Sequence, residues 1–254
     1  MKFQKRVVSK GSRVLAILGS IIKVIELDAD ELDVNRVTLS FHYSTILPLR
    51  SLLEEGSLEV FVNGAPWLEE RSLELEDIGV LVSVKPSNAL KGGLRLRSIY
   101  ENLPKIVIAL DLDLLRRLSH KTTMSGVEFI ALYGNGGSLL VLEGDKYSVT
   151  IPAVESLARI HTHPEGACRL SRIDVRSAIR ALADLSLFEA VVTPTCAFYI
   201  TRIGFLDESE FEKLLNSEVD IVDSLDMVTV NAEKLELSKL TDLLPALEGR
   251  GFQL

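Results

Sequence analysis

The chain has 254 residues, of which 28 are basic and 36 acidic, so its formal net charge is −8. Its 47% hydrophobic and 25% charged residues are typical of a globular protein and exclude an intrinsically disordered or fibrous chain. The acidic total argues against a protein whose whole surface binds nucleic acid or a membrane, and the length predicts two domains.

The first part of the chain predicts a strand-rich unit. Segments with many β-branched residues indicate strands, one short helix interrupts them near residues 48–55, and Asn63-Gly64 indicates a hairpin turn. Prolines and glycines between Lys85 and Lys105 indicate a connecting segment. We therefore expect a separate strand-rich N-terminal domain over residues 1–90 and a linker over residues 91–104. The predicted strands of this domain are Arg13–Leu27, Arg36–Phe41 and Leu58–Val62.

From residue 105 onward the pattern changes to alternating strands and helices. This alternation predicts an α/β (α+β) domain over residues 105–205, in which glycine turns separate several of the strands. Its predicted strands are Ile106–Leu110, Val127–Tyr133, Ser138–Leu142, Tyr147–Ile151, Ala158–His163 and Glu189–Thr201, and its predicted helices are Asp111–His120 and Asp174–Leu185.

Residues 206–254 form an acidic tail. They hold four basic and twelve acidic side chains, a difference of −8, whereas residues 101–205 hold eleven of each. The net charge is therefore a property of the tail and says little about what the middle of the chain binds. We expect an α/β tail that packs on either domain, with a helix over Glu208–Asn216, a strand near Met227–Val230 and a helix near Leu237–Leu247.

Two short motifs carry the chemistry: His161-Thr162-His163-Pro164 and, after a loop, Ser171-Arg172-Ile173-Asp174. Side chains two apart on a strand face the same side, so His161 and His163 can bind one ion while Thr162 faces away. A serine at the helix N-cap places Asp174 in the first helical turn. Two imidazoles and one carboxylate leave a tetrahedral Zn²⁺ with an open position, as in catalytic zinc sites. Taken alone, S-x-x-D is often only a capping arrangement and H-x-H is a weak signal, so the joint pattern makes the prediction.

The spacing of these two motifs resembles the signature of the JAMM, or MPN-plus, metalloprotease family. The resemblance covers about residues 105–204. It implies a JAMM/MPN-like mixed sheet flanked by helices, with Zn²⁺ held by His161, His163 and Asp174. It also implies an upstream glutamate as general base, for which Glu128 stands in the corresponding place, with Glu143 and Glu155 as the competing candidates.

By resemblance, the activity is that of a zinc-dependent isopeptidase or peptidase that hydrolyses a bond at the C-terminus of a ubiquitin-like protein. Ser171 is then expected to donate its hydroxyl to the oxyanion or to orient the water. Two alternatives stay open. One is a non-catalytic MPN-type scaffold, and the other is a JAMM hydrolase that acts on a sulfur-carrier or small peptide conjugate.

Other residues near the motifs allow weaker predictions. Arg172 and Arg176, with Arg180, form a basic stripe on the predicted helix, which could contact an acidic substrate surface or be only a solvated face. Cys168 lies in the loop between the motifs, and we expect a small apolar loop residue there rather than an extra ligand or a redox-sensitive group. With Cys196 as the only other cysteine, the chain cannot form a disulfide framework, which predicts a reducing, cytoplasmic location.

Overall fold

The computed structural model describes residues 2–27, 29, 32–41, 49–88, 93–144, 155–164, 166, 168–183, 186–216 and 225–231. Within them, six helices and two mixed sheets form an α+β fold, as expected in general terms. The helices are α1 (Lys10–Leu27), α2 (Leu49–Glu54), α3 (Leu96–Leu110), α4 (Leu112–Ser125), α5 (Arg172–Ala183) and α6 (Glu208–Leu215). The strands are β1 (Lys2–Val7), β2 (Thr38–Phe41), β3 (Ser57–Asn63), β4 (Arg71–Leu75), β5 (Val80–Pro86), β6 (Leu94–Arg95), β7 (Phe129–Gly134), β8 (Leu139–Glu143), β9 (Ser156–Thr162), β10 (Phe188–Val192), β11 (Cys196–Arg202) and β12 (Leu225–Asn231).

The larger sheet has seven strands in the order β1-β8-β7-β9-β10-β11-β12. Only β9 and β10 run parallel, and the other neighbours are antiparallel. α5 packs on one face, where it buries apolar side chains against β10 and β11, and α1, α3 and α4 pack on the other. The smaller sheet has the order β4-β5-β3-β2-β6. β9 therefore lies at the centre of the larger sheet, with helices on both sides.

Helix α1 is buried between the two sheets. It packs against β4 and β5 on one side and β7 and β9 on the other, and it is buried over most of its length. A helix that is apolar all round is stable only in a protein interior. The prediction of a strand over Arg13–Leu27 is therefore wrong, since this run is longer than single strands usually are. Among the described residues, no helix is both long enough and apolar enough to cross a membrane.

Residues 2–27 belong to the larger sheet and its packing layer, not to a separate N-terminal domain. β1 pairs antiparallel with β8, from Lys2 opposite Glu143 to Val7 opposite Leu139. One continuous core contains buried residues of α1, α3 and both sheets. The predicted linker over residues 91–104 is also corrected, because residues 94–104 form β6 and the first part of α3.

Two further local predictions are wrong. Ile106–Leu110 is the last part of α3 rather than a strand, since so short an apolar run does not distinguish a helix from a strand. Asn63-Gly64 does not close a hairpin, because β3 pairs with β2 and β5 and the tight hairpin joins β4 to β5.

The remaining predicted elements within the described residues are confirmed to within a few positions. One refinement is that Glu189–Thr201 forms two antiparallel strands rather than one. The described part of the acidic tail packs on the larger sheet, with β12 beside β11 and α6 against α5. The predicted strand Tyr147–Ile151 and the predicted helix near Leu237–Leu247 lie outside the described residues.

Asp111, between α3 and α4, fixes the start of α1. Its carboxylate accepts hydrogen bonds from the Ser9 hydroxyl (2.6 Å), the Gly11 N–H (3.1 Å) and the Tyr133 hydroxyl (3.1 Å). Burial raises the pKa of Asp111, and the three hydrogen bonds oppose this rise only in part. One buried carboxyl group thus connects α1, the junction of two helices, and β7.

Replacement of Asp111 by alanine should destabilise the fold by about 2–4 kcal/mol, because three donors lose their acceptor. Since the folded-state pKa lies above the unfolded value of 3.8, the carboxyl group's contribution to stability is greatest below pH 3.8 and falls as the pH rises through the folded pKa. The difference in unfolding free energy between wild type and Asp111→Ala, measured in urea, should therefore be larger near pH 4 than near pH 7. A difference that grows with pH would contradict the raised pKa.

Candidate metal centre

β9 presents two imidazoles on one face of the larger sheet. His161 lies within the strand, opposite Ile130 of β7 and Val191 of β10, and His163 follows the strand's last residue. The His163 N–H donates to the Val192 carbonyl (3.1 Å), which keeps the backbone aligned with β10 beyond the strand end. The two side chains are 12% and 10% exposed, and their ring centroids are 4.8 Å apart. The structure thus brings the two predicted histidines together in a shielded position.

Thr162, between the histidines, faces the opposite side of the sheet. Its buried hydroxyl lies 2.5 Å from the hydroxyl of Thr122 in α4 and accepts a hydrogen bond from the Phe129 N–H (3.0 Å). Thr162 therefore packs β9 against α4 and β7. Alternation along one strand separates the packing side chain from the two imidazoles.

Asp174 and Ser171 form a reciprocal cap at the start of α5. The Ser171 N–H donates to Oδ2 of Asp174 (2.7 Å), and the Asp174 N–H donates to Oγ of Ser171 (3.2 Å). This is the geometry of a capping box, with aspartate as the acidic partner. The cap holds the carboxylate at the helix end, where Oδ1 lies 3.7 Å from Nε2 of His161. Capping and metal binding are therefore compatible uses of the same carboxylate.

The spacing of the three groups suits a shared ion better than direct hydrogen bonds. His163 Nε2 lies 3.6 Å from Asp174 Oδ2, and the ligand atoms of His161, His163 and Asp174 all lie within 4.8 Å of one another. Two ligands bound tetrahedrally at zinc distances would be about 3.4 Å apart. His161 Nε2 is buried and has no hydrogen-bond partner, a condition that a bound cation would relieve.

The surroundings keep the Asp174 carboxyl ionised. Burial by itself raises the pKa of Asp174, but interactions with His161, His163 and Ser171 outweigh this effect and hold the pKa well below its usual range. An ionised carboxylate is the form that binds a metal ion.

Glu128 reaches the same centre from the start of β7. Its Oε1 lies 3.7 Å from Nε2 of His163, and its side chain is partly exposed. Its carbonyl accepts the Gly144 N–H (2.9 Å), which fixes the backbone just before β7 against the residue that follows β8. Glu128 is thus close to the candidate ligands and partly open to solvent.

The two competing glutamates differ in position. Glu155 precedes the first residue of β9 and accepts a hydrogen bond from Asn135 (3.1 Å). Glu155 lies six positions before His161 along the strand, or roughly 20 Å away, so the structure does not bring it to the centre. Glu143 ends β8 opposite Phe129, next in sequence to Glu128, and stays the nearer alternative.

The cysteines are joined, which corrects the expectation of reduced thiols. Cys168, in the loop between His163 and Ser171, forms a disulfide with Cys196 at the start of β11. The Thr193 hydroxyl accepts the Cys196 N–H (3.1 Å) and so holds the partner residue in its turn. Cys168 is therefore neither an extra ligand nor a simple packing residue, and the cysteines give no support for a cytoplasmic location. Sequence showed both cysteines but could not show that the fold brings them within 6.1 Å, measured between Cα atoms.

Metal binding can be tested directly. We expect native mass spectrometry to find one Zn²⁺ per chain and His163→Ala to lower the affinity by more than about a hundredfold, since even an outer-shell partner contributes ten- to a hundredfold. His120→Ala is the matched control, because His120 is exposed on α4. Equal zinc affinity in the two variants would contradict the assignment of the site.

The disulfide should act on both stability and metal affinity. A crosslink over a sequence separation of 28 residues is expected to stabilise the fold by about 3–4 kcal/mol. The Cys168→Ser/Cys196→Ser variant should lose that stability in urea denaturation. Its zinc affinity should also fall, because the loop that leads to Ser171 and Asp174 is no longer held. An unchanged zinc affinity would show that the crosslink does not position the ligands.

Comparison with family models, curated proteins and solved structures finds no match to this chain. Inferences about the centre therefore depend on the chemistry and geometry of its own residues. His161, His163 and Asp174 form a group that could hold a metal ion.

Proposed function

We propose that the chain is a zinc-dependent isopeptidase or peptidase of the JAMM type. The observation that carries the proposal is the buried, unpartnered Nε2 of His161, which lies 3.7 Å from an Asp174 carboxylate held in place by a helix cap. A buried polar atom without a partner is rare in folded proteins and here faces residues of metal-binding type.

The residues fit Zn²⁺ in number and kind. Held by two imidazoles and one carboxylate, Zn²⁺ would leave room for a water, lower the pKa of that water toward neutrality and polarise a carbonyl group. His161 and His163 supply neutral nitrogen ligands, and Asp174 supplies the ionised oxygen. The strand and the cap hold these ligands before substrate arrives, which limits reorganisation during the reaction.

Glu128 acts as the general base in this proposal. Its carboxylate takes a proton from the attacking water and delivers it to the nitrogen of the leaving amine, so that one group serves both transfers. Ser171 uses its Oγ to accept the Asp174 N–H, which leaves the hydroxyl hydrogen for donation to the oxyanion that develops.

The substrate class follows from the family resemblance of the two motifs. The bond cleaved is a peptide or isopeptide bond at the C-terminus of a ubiquitin-like protein, with Arg172 and Arg176 as candidate substrate contacts on the exposed side of α5. A non-catalytic scaffold would have no need of an intact ligand set beside a partly exposed glutamate. The structure offers no observation that favours a sulfur-carrier or small peptide conjugate over this class.

The proposal is tested with a panel of ubiquitin-like C-terminal fusions, assayed with and without a chelator. Wild type should cleave at least one fusion in the presence of zinc. Glu128→Gln should lower kcat by about 10²–10⁴-fold while it retains zinc, because an amide cannot accept the proton. Glu155→Gln is the matched control at the far end of β9 and should leave kcat unchanged, and Glu143→Gln tests the nearer alternative. Wild-type rates in Glu128→Gln, or a folded wild type that binds no zinc, would refute the proposal.

A further inference from the structure

A cavity of about 1000 Å³ lies at the end of the larger sheet where β7 ends. Side chains from the second half of α1, from β4 and from the segment that follows β11 line this α1–β4 cavity, together with Asn135 in the turn after β7. Glu128 precedes the other end of β7, and the seven residues between the two ends span about 23 Å. The cavity is therefore separate from the candidate metal centre, and its volume suits a small-molecule ligand.

Exposed apolar side chains gather around the α1–β4 cavity. Leu27, the last residue of α1, is 67% exposed, and Phe211 of α6 is 37% exposed. Phe205 and Leu206 line the cavity from the segment before α6, and Leu73 lines it from β4. Single exposed apolar residues are common on protein surfaces, whereas several around one concave site indicate a binding surface. An apolar ligand in the cavity would shield them from water and so bind favourably.

A buried ion pair with an unused donor belongs to the same lining. Arg202, at the end of β11, has a side chain that is 3% exposed, and its Nη2 donates to the Glu26 carboxylate and to the Gly204 carbonyl (3.4 Å). The Tyr100 hydroxyl donates to the same carboxylate. The Nε of Arg202 is buried and has no hydrogen-bond partner among the described residues. Because an unsatisfied buried donor costs free energy, a ligand oxygen that accepts from it would be stabilised.

The charged side chains of the lining balance in number but differ in depth. They are Arg6, Lys23, Arg71 and Arg202 on the basic side, and Glu26, Glu74, Glu76 and Asp77 on the acidic side. Arg6 bonds to Asp77 (2.6 Å), so this pair is neutral, as is the buried pair. Glu74 and Glu76 are exposed, whereas Lys23 is half-buried and forms no ion pair within the part of the chain that the structure describes. Solvent and salt screen exposed charges more than half-buried ones, so the interior of the cavity favours an anion.

We propose that the α1–β4 cavity binds a small amphipathic carboxylate with an aliphatic chain. Lys23 and Glu26 are three residues apart on α1 and so share one face of the helix, which brings the Lys23 ammonium beside the Glu26–Arg202 pair. One carboxylate oxygen of the ligand accepts from Lys23 and the other from Nε of Arg202. The aliphatic chain contacts the apolar lining. This binding site does not depend on the proposed function.

Binding is measured by calorimetry on the full wild-type chain. The probes are octanoate, octylammonium, 1-octanol and butanoate, each below the concentration at which it forms micelles. Octanoate should bind most tightly. Butanoate should bind at least about tenfold more weakly, because its shorter chain buries fewer methylene groups. Octylammonium has the same chain but should also bind at least about tenfold more weakly, because the Lys23 ammonium repels it.

Variants separate the contribution of charge from that of apolar contact. Lys23→Met keeps an aliphatic stem and should lower the octanoate affinity by about three- to tenfold while the 1-octanol affinity is unchanged. Lys10→Met is the matched control, because Lys10 is exposed at the first position of α1, about 20 Å from Lys23. Leu27→Ser should weaken octanoate and 1-octanol alike. Its control is Met124→Ser, which removes an exposed apolar side chain that does not line the cavity.

The outcomes distinguish this proposal from the catalytic one. Absence of octanoate binding, an equal affinity for octylammonium, or an equal loss in Lys23→Met and Lys10→Met would overturn the binding site, even in a chain that cleaves fusions. The expected preferences in a chain that binds no zinc and cleaves no fusion would support the binding site and count only against the catalytic proposal.

Discussion

The burial of α1 between the two sheets is the constraint on which the rest of the structure depends. The helix supplies apolar contacts on both sides at once, and each fully buried aliphatic side chain contributes about 1.5–3 kcal/mol. Gly19 favours its close approach to β9, because a Cβ there would lie 2.8 Å from Leu157 Cδ1 and the leucine side chain would have to shift. Asp111 fixes the N-terminal end of the helix. Packing on this side of the sheet leaves the other face of β9 for polar side chains.

The candidate metal centre uses elements that the fold already needs. β9 is a central strand, so the backbone at its end is held by neighbours on both sides. The capping interaction of Ser171 and Asp174 starts α5 and also orients the carboxylate. The disulfide closes the loop between these two elements against β11. Side chains that are held by strand, cap and crosslink need little adjustment to bind an ion.

The net charge of the whole chain does not describe the charges beside the candidate metal centre. The described part of the acidic tail adds β12 to the sheet and packs α6 beside α5, so its acidic residues belong to the surface of the same body. The arginines at the start of α5 lie beside the metal centre instead. Charges act over about a Debye length in physiological salt, so side chains near the centre influence it more than the net charge of the chain does.

The sequence by itself determined the residues of the candidate site and most of the elements that carry them. Alternation placed the histidines on one face, and the S-x-x-D pattern placed Asp174 in the first turn of α5, because both are local consequences of backbone geometry. Only the tertiary structure decided that Arg13–Leu27 is a helix. A continuous apolar run has neither the helical nor the strand periodicity of hydrophobic residues, so its secondary structure depends on what packs around it. The pairing of β1 with β8, the position of Glu128 beside His163 and the Cys168–Cys196 bond were likewise decided by tertiary structure. Each joins segments far apart in the chain, and local patterns do not encode such distances.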